Sequence, residues 1–303
     1  MCEVPRVRDV PLRAEDLERT LIAAARDPRS SARPLYAELV KRSRLPGTRP
    51  NLELCEAFAA SCAGMGKKAD ALVREMVTLD ADSAPGGTEL EFLPMCGVYA
   101  AGFRVANDRA AEAKLLPLLH DAAEDLRFRV RDAVVAALAK IGAVRGDALV
   151  HACGAWMDGM FHGAAVLRAL VTPAWLDAVD DGAAAAELLR TALATLADAP
   201  RSAARYPGFK ALMDAVRAAP APLALRFGAP IFDVLENFAS CKDPHLRALA
   251  LESIGGAAAT KLEARFPADV ARVRAAFQAT AKPVRDPRSL PGPTRRRGGG
   301  RRR

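Results

Sequence analysis

Residues 115–142 read "LLPLLHDAAEDLRFRVRDAVVAALAKIG". In the second half, Val130, Val134, Leu138 and Ile141 recur at spacings of four, four and three, which is one face of a helix. The first half carries a run of leucines interrupted by Pro117. A proline ring inside a helix removes one backbone hydrogen bond and bends the rod. Between the halves, Asp125 can cap the turn by accepting backbone N–H bonds. The stretch therefore predicts two helices joined by a short turn.

The same rhythm extends outward. Apolar residues at threes and fours predict helices over about 14–26, 32–44, 51–64, 67–79, 89–106, 109–123, 127–142, 146–158, 161–171, 183–197, 208–218, 223–239, 244–257 and 261–279. Proline and glycine punctuate the gaps, as in "LPGTRP" (45–50), "DSAPGG" (82–87), "DAPRSAARYPG" (198–208) and "AAPAP" (218–222). Composition points the same way. Half of the residues are hydrophobic but only 5% are aromatic. Small apolar residues suit closely packed helices better than sheets.

The unit at 115–142 resembles the HEAT repeat. The resemblance rests on Leu115–Leu116–Pro117–Leu118–Leu119 in a first helix, Asp125 in the turn, Val130–Arg131 opening a second helix, and Ala137–Leu138 with Ile141 farther along it. A second copy is "DPHLRALALESIGG" (243–256), in which Leu246–Arg247 align with Val130–Arg131 and Ile254 aligns with Leu138. The offset of 116 residues equals three repeats of roughly 39. A fainter third copy is "DPRSSARPLYAELV" (27–40). The motif is missing from 145–240. The resemblance implies an all-α fold, a right-handed α-solenoid of HEAT-like hairpins over 14–280. It would be preceded by an extension at 1–13 and followed by an Arg/Gly/Pro-rich tail at 281–303. A solenoid offers a long curved surface, and such surfaces bind extended partners. The fold does not say which partner.

The formal charge of +8 invites a nucleic-acid reading. Its location narrows that reading. Residues 282–303 carry nine basic side chains and one acidic one, and the rest of the chain is formally neutral. The tail is too rich in proline and glycine for helix and has little to bury, so disorder is expected there. Arg295, Arg296, Arg297, Arg301, Arg302 and Arg303 resemble the arginine–glycine tracts of RNA-binding tails, since guanidinium pairs with phosphate and stacks on bases. A solubilising tail with nonspecific attraction to polyanions fits the same residues.

Six scattered cysteines form no C-x-x-C pair, and buried thiols in a reducing cytoplasm are expected. No secretory signal or long apolar run occurs, so no membrane association is expected.

Catalytic signatures are sparse. There is no phosphate-binding loop, dinucleotide fingerprint or serine-hydrolase elbow. The four histidines are far apart in sequence; His151 and Cys153 would face different sides of a helix, so no metal site and no cofactor are expected. Arg127, Arg129 and Arg131 could form a phosphate patch. The alternative, which the repeat favours, makes Arg131 the arginine that braces Asp125 or a neighbouring turn, with Arg127 and Arg129 solvated. "LVTPAWLDAVDDG" (170–182) faintly resembles a segment of HEAT-like alkylpurine DNA glycosylases. That resemblance implies Trp175 stacking on a damaged nucleotide and Asp177 stabilising positive charge on its sugar. The other reading is a core tryptophan on an ordinary helix. The expected role is a non-enzymatic scaffold that holds a protein partner on its curved face, with tail contact to nucleic acid. DNA base excision is the competing function.

Overall fold

The computed structural model describes residues 14–280; the N-terminal extension and the arginine tail lie outside the described residues. Every regular element among the described residues is helical. The chain opens with α1 (Ala14–Arg26), α2 (Pro28–Ser31) and α3 (Arg33–Lys41). There follow α4 (Leu52–Met65), α5 (Asp70–Val77), α6 (Phe92–Asn107), α7 (Glu112–Ala123) and α8 (Phe128–Arg145). The middle holds α9 (Asp147–Cys153), α10 (Met160–Leu170), α11 (Pro173–Leu176) and α12 (Gly182–Ala197). The last stretch is α13 (Pro207–Ala218), α14 (Pro220–Phe227), α15 (Ala229–Ala239), α16 (Pro244–Ser253), α17 (Ala259–Arg265) and α18 (Pro267–Thr280).

Most predicted spans agree with these helices to within a few residues. The differences have local causes. The expected helix at 223–239 is two helices, because Gly228 adopts φ 68° and turns the chain between α14 and α15. The expected helix at 261–279 breaks at Phe266, where Pro267 opens α18. Pro220 begins a helix instead of preceding one, since the first helical position needs no N–H. Two four-residue turns, α2 and α11, are too short to show periodicity.

Packing proceeds in series. α6 lies against α4, α5 and α8; α8 against α10 and α11; α10 against α13; α12 against α13 and α15; and α15 against α16 and α18. α6 is apolar all round and buried on nearly every side. Small residues let its neighbours close in: a Cβ on Gly102 would stand 2.7 Å from Cα of Ala137 on α8. Within the 115–142 unit, Val130, Val134, Leu138 and Ile141 are all buried, as their spacing predicts. Leu246 and Ile254 are buried too.

Long-range side-chain bonds recur at similar sequence separations. Tyr36 reaches Glu75 across 39 residues, Arg129 reaches Glu91 across 38, and Arg145 reaches the Val105 carbonyl across 40. Arg168 bonds Asp132 across 36, and Arg265 bonds the Leu225 carbonyl across 40. Arg272 reaches Asp233 across 39, and Thr280 reaches Ala239 across 41. Other bonds depart from this value, from 29 residues between Trp175 and Gly146 to 50 between Arg226 and Leu176. Arg129 also reaches the Gly47 carbonyl across 82, about twice the common interval.

The turn between α7 and α8 corrects the expectation for its arginines. Arg127 is buried, not solvated. Its Nε and Nη2 donate to the two Asp125 carboxylate oxygens at 2.8 and 2.6 Å. The same guanidinium donates to the carbonyls of Leu79, Asp80 and Ala84 at 2.6, 3.0 and 2.9 Å. Arg129 is also engaged, at 3.0 Å from the fully buried Glu91. Arg131 does brace Asp125, but through its backbone carbonyl. Asp125 accepts the backbone N–H of Arg127 at 2.7 Å, so it shapes the turn as expected.

Truncating Arg127 would leave the Asp125 carboxylate without its cation and remove the side-chain donor from the carbonyls of Leu79, Asp80 and Ala84. We expect Arg127→Ala to cost about 3–5 kcal/mol. Arg131→Ala removes one bond to a neutral carbonyl and a cation–π contact with Phe161, for which about 1–2 kcal/mol is expected. Urea unfolding of the two variants checks this; equal losses would contradict it.

Candidate functional site

The structure gathers histidines that the sequence leaves far apart. His120 sits in the last turn of α7, and His162 in the first turn of α10. Asp158 lies in the connection just before α10. The two imidazoles stack, with centroids 3.8 Å apart and planes within 9°. Trp156 stands edge-on to His120 at 5.1 Å. Asp158 sits at the nitrogen-bearing edges of both rings: its carboxylate is 3.2 Å from His120 Nε2 and 3.1 Å from His162 Nδ1. One ligand atom from each of the three residues falls within 4.8 Å of the others.

Burial differs across the cluster. The His162 side chain is 6% exposed, while Asp158 is 54% exposed and His120 27%. The His162 ring is fixed by its Nε2, which lies 3.0 Å from the His120 carbonyl oxygen. A carbonyl only accepts, so that nitrogen carries a proton, and in the neutral ring Nδ1 then presents its lone pair. Nδ1 is buried with no hydrogen-bond partner. Asp158 is near it but off the in-plane direction a hydrogen bond needs. Gly159 makes the approach possible: a Cβ there would meet His162 Nδ1 at 2.5 Å and Glu124 Oε1 at 3.2 Å. His120 and Trp156 also border a cleft of about 590 Å³ along α7, with Leu116 and Pro117 on its wall.

Sequence reasoning missed this cluster because it weighed local spacings. His120 and Asp158 are 38 residues apart, and His162 and His120 are 42 apart. The signal available was their separation, close to the interval of 36–41 residues at which other long-range bonds recur. The pair that was weighed, His151 and Cys153, does split as expected, with His151 exposed and Cys153 buried.

The other singled-out residues fall as follows. Trp175 is fully buried. Its indole packs on Gly142 of α8, and its Nε1 donates to the Gly146 carbonyl at 3.4 Å. No face of that ring is available to stack on a nucleotide, so the stacking role drawn from the glycosylase resemblance is not open to it. Asp177 is exposed beside it. Pro117 lies on the exposed side of α7, which continues through it. Arg247 is partly buried and bonds the Thr280 carbonyl. Arg295, Arg296, Arg297, Arg301, Arg302 and Arg303 lie outside the described residues.

Three of the described thiols are poor nucleophiles. Burial pushes Cys62 and Cys153 up to about 12 and Cys96 well above the ordinary thiol range. At neutral pH these groups carry essentially no thiolate. Among the described residues no helix is long and apolar enough to cross a membrane.

A second surface crosses three packed helices. Phe128 opens α8 and is 55% exposed. One turn on, the Arg131 guanidinium lies 4.5 Å over the ring of Phe161 on α10. Phe161 meets Tyr206, just before α13, edge-on at 5.5 Å. Tyr206 is 45% exposed, and Leu126 beside Phe128 is 87% exposed.

No protein-family model matches the chain, and no curated protein matches its sequence.

The Gly142–Trp175 contact gives a direct check on the core reading of that tryptophan. A Cβ on Gly142 would fall 2.1 Å from the indole. Gly142→Ala is expected to cost about 1–3 kcal/mol by overpacking. Adding Trp175→Leu should recover part of that loss, because the two sites share one space. Denaturant titration of both single variants and the double variant measures the coupling; strict additivity would contradict the contact.

Proposed function

We propose that residues 14–280 form a HEAT-like α-solenoid that acts as a non-enzymatic scaffold and holds a protein partner on its surface. The observation that carries this reading is the recurrent separation of about 36–41 residues between bonded side chains from Tyr36 to Thr280. A chain that folds back on itself with one period brings residues one repeat apart into contact, and stacked hairpins do this along their whole length. The value agrees with the roughly 39-residue period inferred from the two sequence copies.

The partner surface in this proposal is the strip Leu126, Phe128, Arg131, Phe161 and Tyr206. Aromatic and arginine side chains supply most interface anchors, the aromatics because they bury large area with few rotatable bonds and arginine because its planar guanidinium stacks and donates several bonds at once. The strip spans α8, α10 and the start of α13, so an extended partner could contact successive repeats. A reducing, cytoplasmic setting belongs to the same proposal, since Cys55, Cys62, Cys96 and Cys153 are buried as small core residues.

The arginines of 295–303 add a separate, charge-driven contact with nucleic acid or other polyanions. Six phosphate contacts would give a log–log salt slope of about −5 on duplex DNA.

Two measurements test these parts independently. Cross-linking capture with the wild-type chain and with a Phe128→Asp/Tyr206→Asp variant should yield proteins that only the wild type retains. Identical sets would count against the strip. Deleting 282–303 should abolish binding to a labelled oligonucleotide at low salt while leaving the captured proteins unchanged. Unaltered oligonucleotide affinity would remove the tail from the account.

A further inference from the structure

We propose that His120, Asp158 and His162 bind one divalent transition-metal ion of the zinc class. The scaffold reading neither requires nor implies such a site.

Geometry supplies the first argument. Two ligand atoms about 2.1 Å from a tetrahedral centre stand about 3.4 Å apart. The Asp158 carboxylate is 3.2 Å from His120 Nε2 and 3.1 Å from His162 Nδ1, close to that value. All three ligand atoms fall within 4.8 Å of each other, near enough to share one ion once the stacked imidazoles tilt open towards a common point.

The second argument is the state of His162. Its Nδ1 is buried, holds a lone pair and has no hydrogen-bond partner. An unpaired buried nitrogen costs free energy in the folded chain, and a metal ion is an acceptor for that lone pair. The nearby carboxylate off the in-plane direction is where a second ligand on the same ion belongs.

The outer contact of His162 matches as well. Metal-bound imidazoles usually donate their other N–H to a carbonyl or carboxylate, which fixes the ring and raises its basicity. His162 Nε2 has the His120 carbonyl at 3.0 Å. His120 Nδ1 makes no such bond; the nearest carboxylate oxygen, Asp121 Oδ1, stands 3.8 Å away. Glu124 Oε1, 3.9 Å from His162 Nδ1, is a further oxygen within reach of a small rotation.

The donor set decides the class of ion. Two imidazoles with one carboxylate suit zinc, cobalt and nickel, whereas magnesium and calcium prefer all-oxygen shells. Three protein ligands leave one tetrahedral position. Asp158 and His120 both border solvent, so a water molecule or a partner's side chain completes the shell. The ion would join the end of α7 to the start of α10.

The test uses the full chain without a histidine tag, stripped with a chelator and titrated with Zn²⁺ by calorimetry and with Co²⁺ by visible absorption. We expect one ion per chain, visible bands of tetrahedral cobalt, and an upward shift in Tm with zinc. His120→Gln, Asp158→Asn and His162→Gln should each weaken binding by at least about tenfold. Gly159→Ala should weaken it similarly. Its backbone, at φ −142°, is one that alanine adopts freely, so the added methyl acts only by crowding His162. His151→Gln and His245→Gln should bind as the wild type does. Circular dichroism of each variant separates lost binding from lost folding. If His162→Gln does not fold, the half-exposed Asp158→Asn and the partly exposed His120→Gln decide the matter. Absence of saturable binding by the wild type overturns the proposal. So does binding that folded His120→Gln and Asp158→Asn variants leave unchanged.

Discussion

The guanidinium of Arg127 joins two parts of the chain that would otherwise meet only through side-chain packing. One end of the contact is the α7–α8 turn, shaped by Asp125. The other is the loop after α5, where the carbonyls of Leu79, Asp80 and Ala84 converge on the same group. A buried arginine is tolerable only when its donors are met and its charge is balanced. Here the carboxylate balances the charge, and the carbonyls take the remaining donors. The loop between Thr78 and Thr88 contains no α-helix, so these bonds give its backbone partners that a ladder would otherwise provide. Arg129 extends the arrangement by pairing with Glu91, and the entry to α6 is held with it. α6 then packs against α4, α5 and α8, so the Arg129–Glu91 pair ties the start of α8 to the entry of the helix that these three surround.

Much of this was legible in the sequence at the level of elements. The faces of α8 and the capping role of Asp125 follow from apolar spacing and turn chemistry, which act within a few residues. Helix ends were legible where proline or glycine marked them. The break at Gly228 was less so, because an apolar pattern runs through it and only the positive φ of that residue interrupts it. The roles of Arg127 and Arg129 were not legible. A run of three arginines beside a phenylalanine reads as a charged surface. The acceptors that bury two of them, at Leu79, Asp80, Ala84 and Glu91, lie far upstream, beyond the reach of any local pattern. Trp175 illustrates the converse. The local pattern left both a stacking ring and a core tryptophan open, and only Gly142, on a different helix, decides for the core by leaving a hollow in α8 that the indole fills.

The charge balance separates what the body and the tail can contribute. The chain before residue 282 is formally neutral, and some of its cations are held by acids, as in Arg104 with Asp70 and Asp108 or Arg272 with Asp233, Glu236 and Asp269, so it brings no net positive charge to a phosphate backbone. Such pairs couple neighbouring helices and set their register; exposed ones add little to stability. On the proposed reading, recognition by the body therefore falls to shape and to the aromatic strip. Long-range attraction falls to the arginines at 295–303, whose effect declines with salt.

The recurrent interval between bonded side chains also changes how the chemistry of this chain is read. Motifs sought at spacings of two to five belong to single helices and turns. In a chain whose long-range bonds keep returning to one interval, the neighbour of a side chain is the residue one interval away. Arg168 with Asp132, Tyr36 with Glu75 and Arg145 with Val105 are ordinary structural instances. His120 with Asp158, and His162 with the His120 carbonyl, obey the same rule, but their residue types have ligand chemistry. Such an interval creates sites from residues that no local pattern connects. In this chain the interval that orders the helices also brings two histidines and an aspartate to one point, and a single glycine, Gly159, leaves them the room to meet.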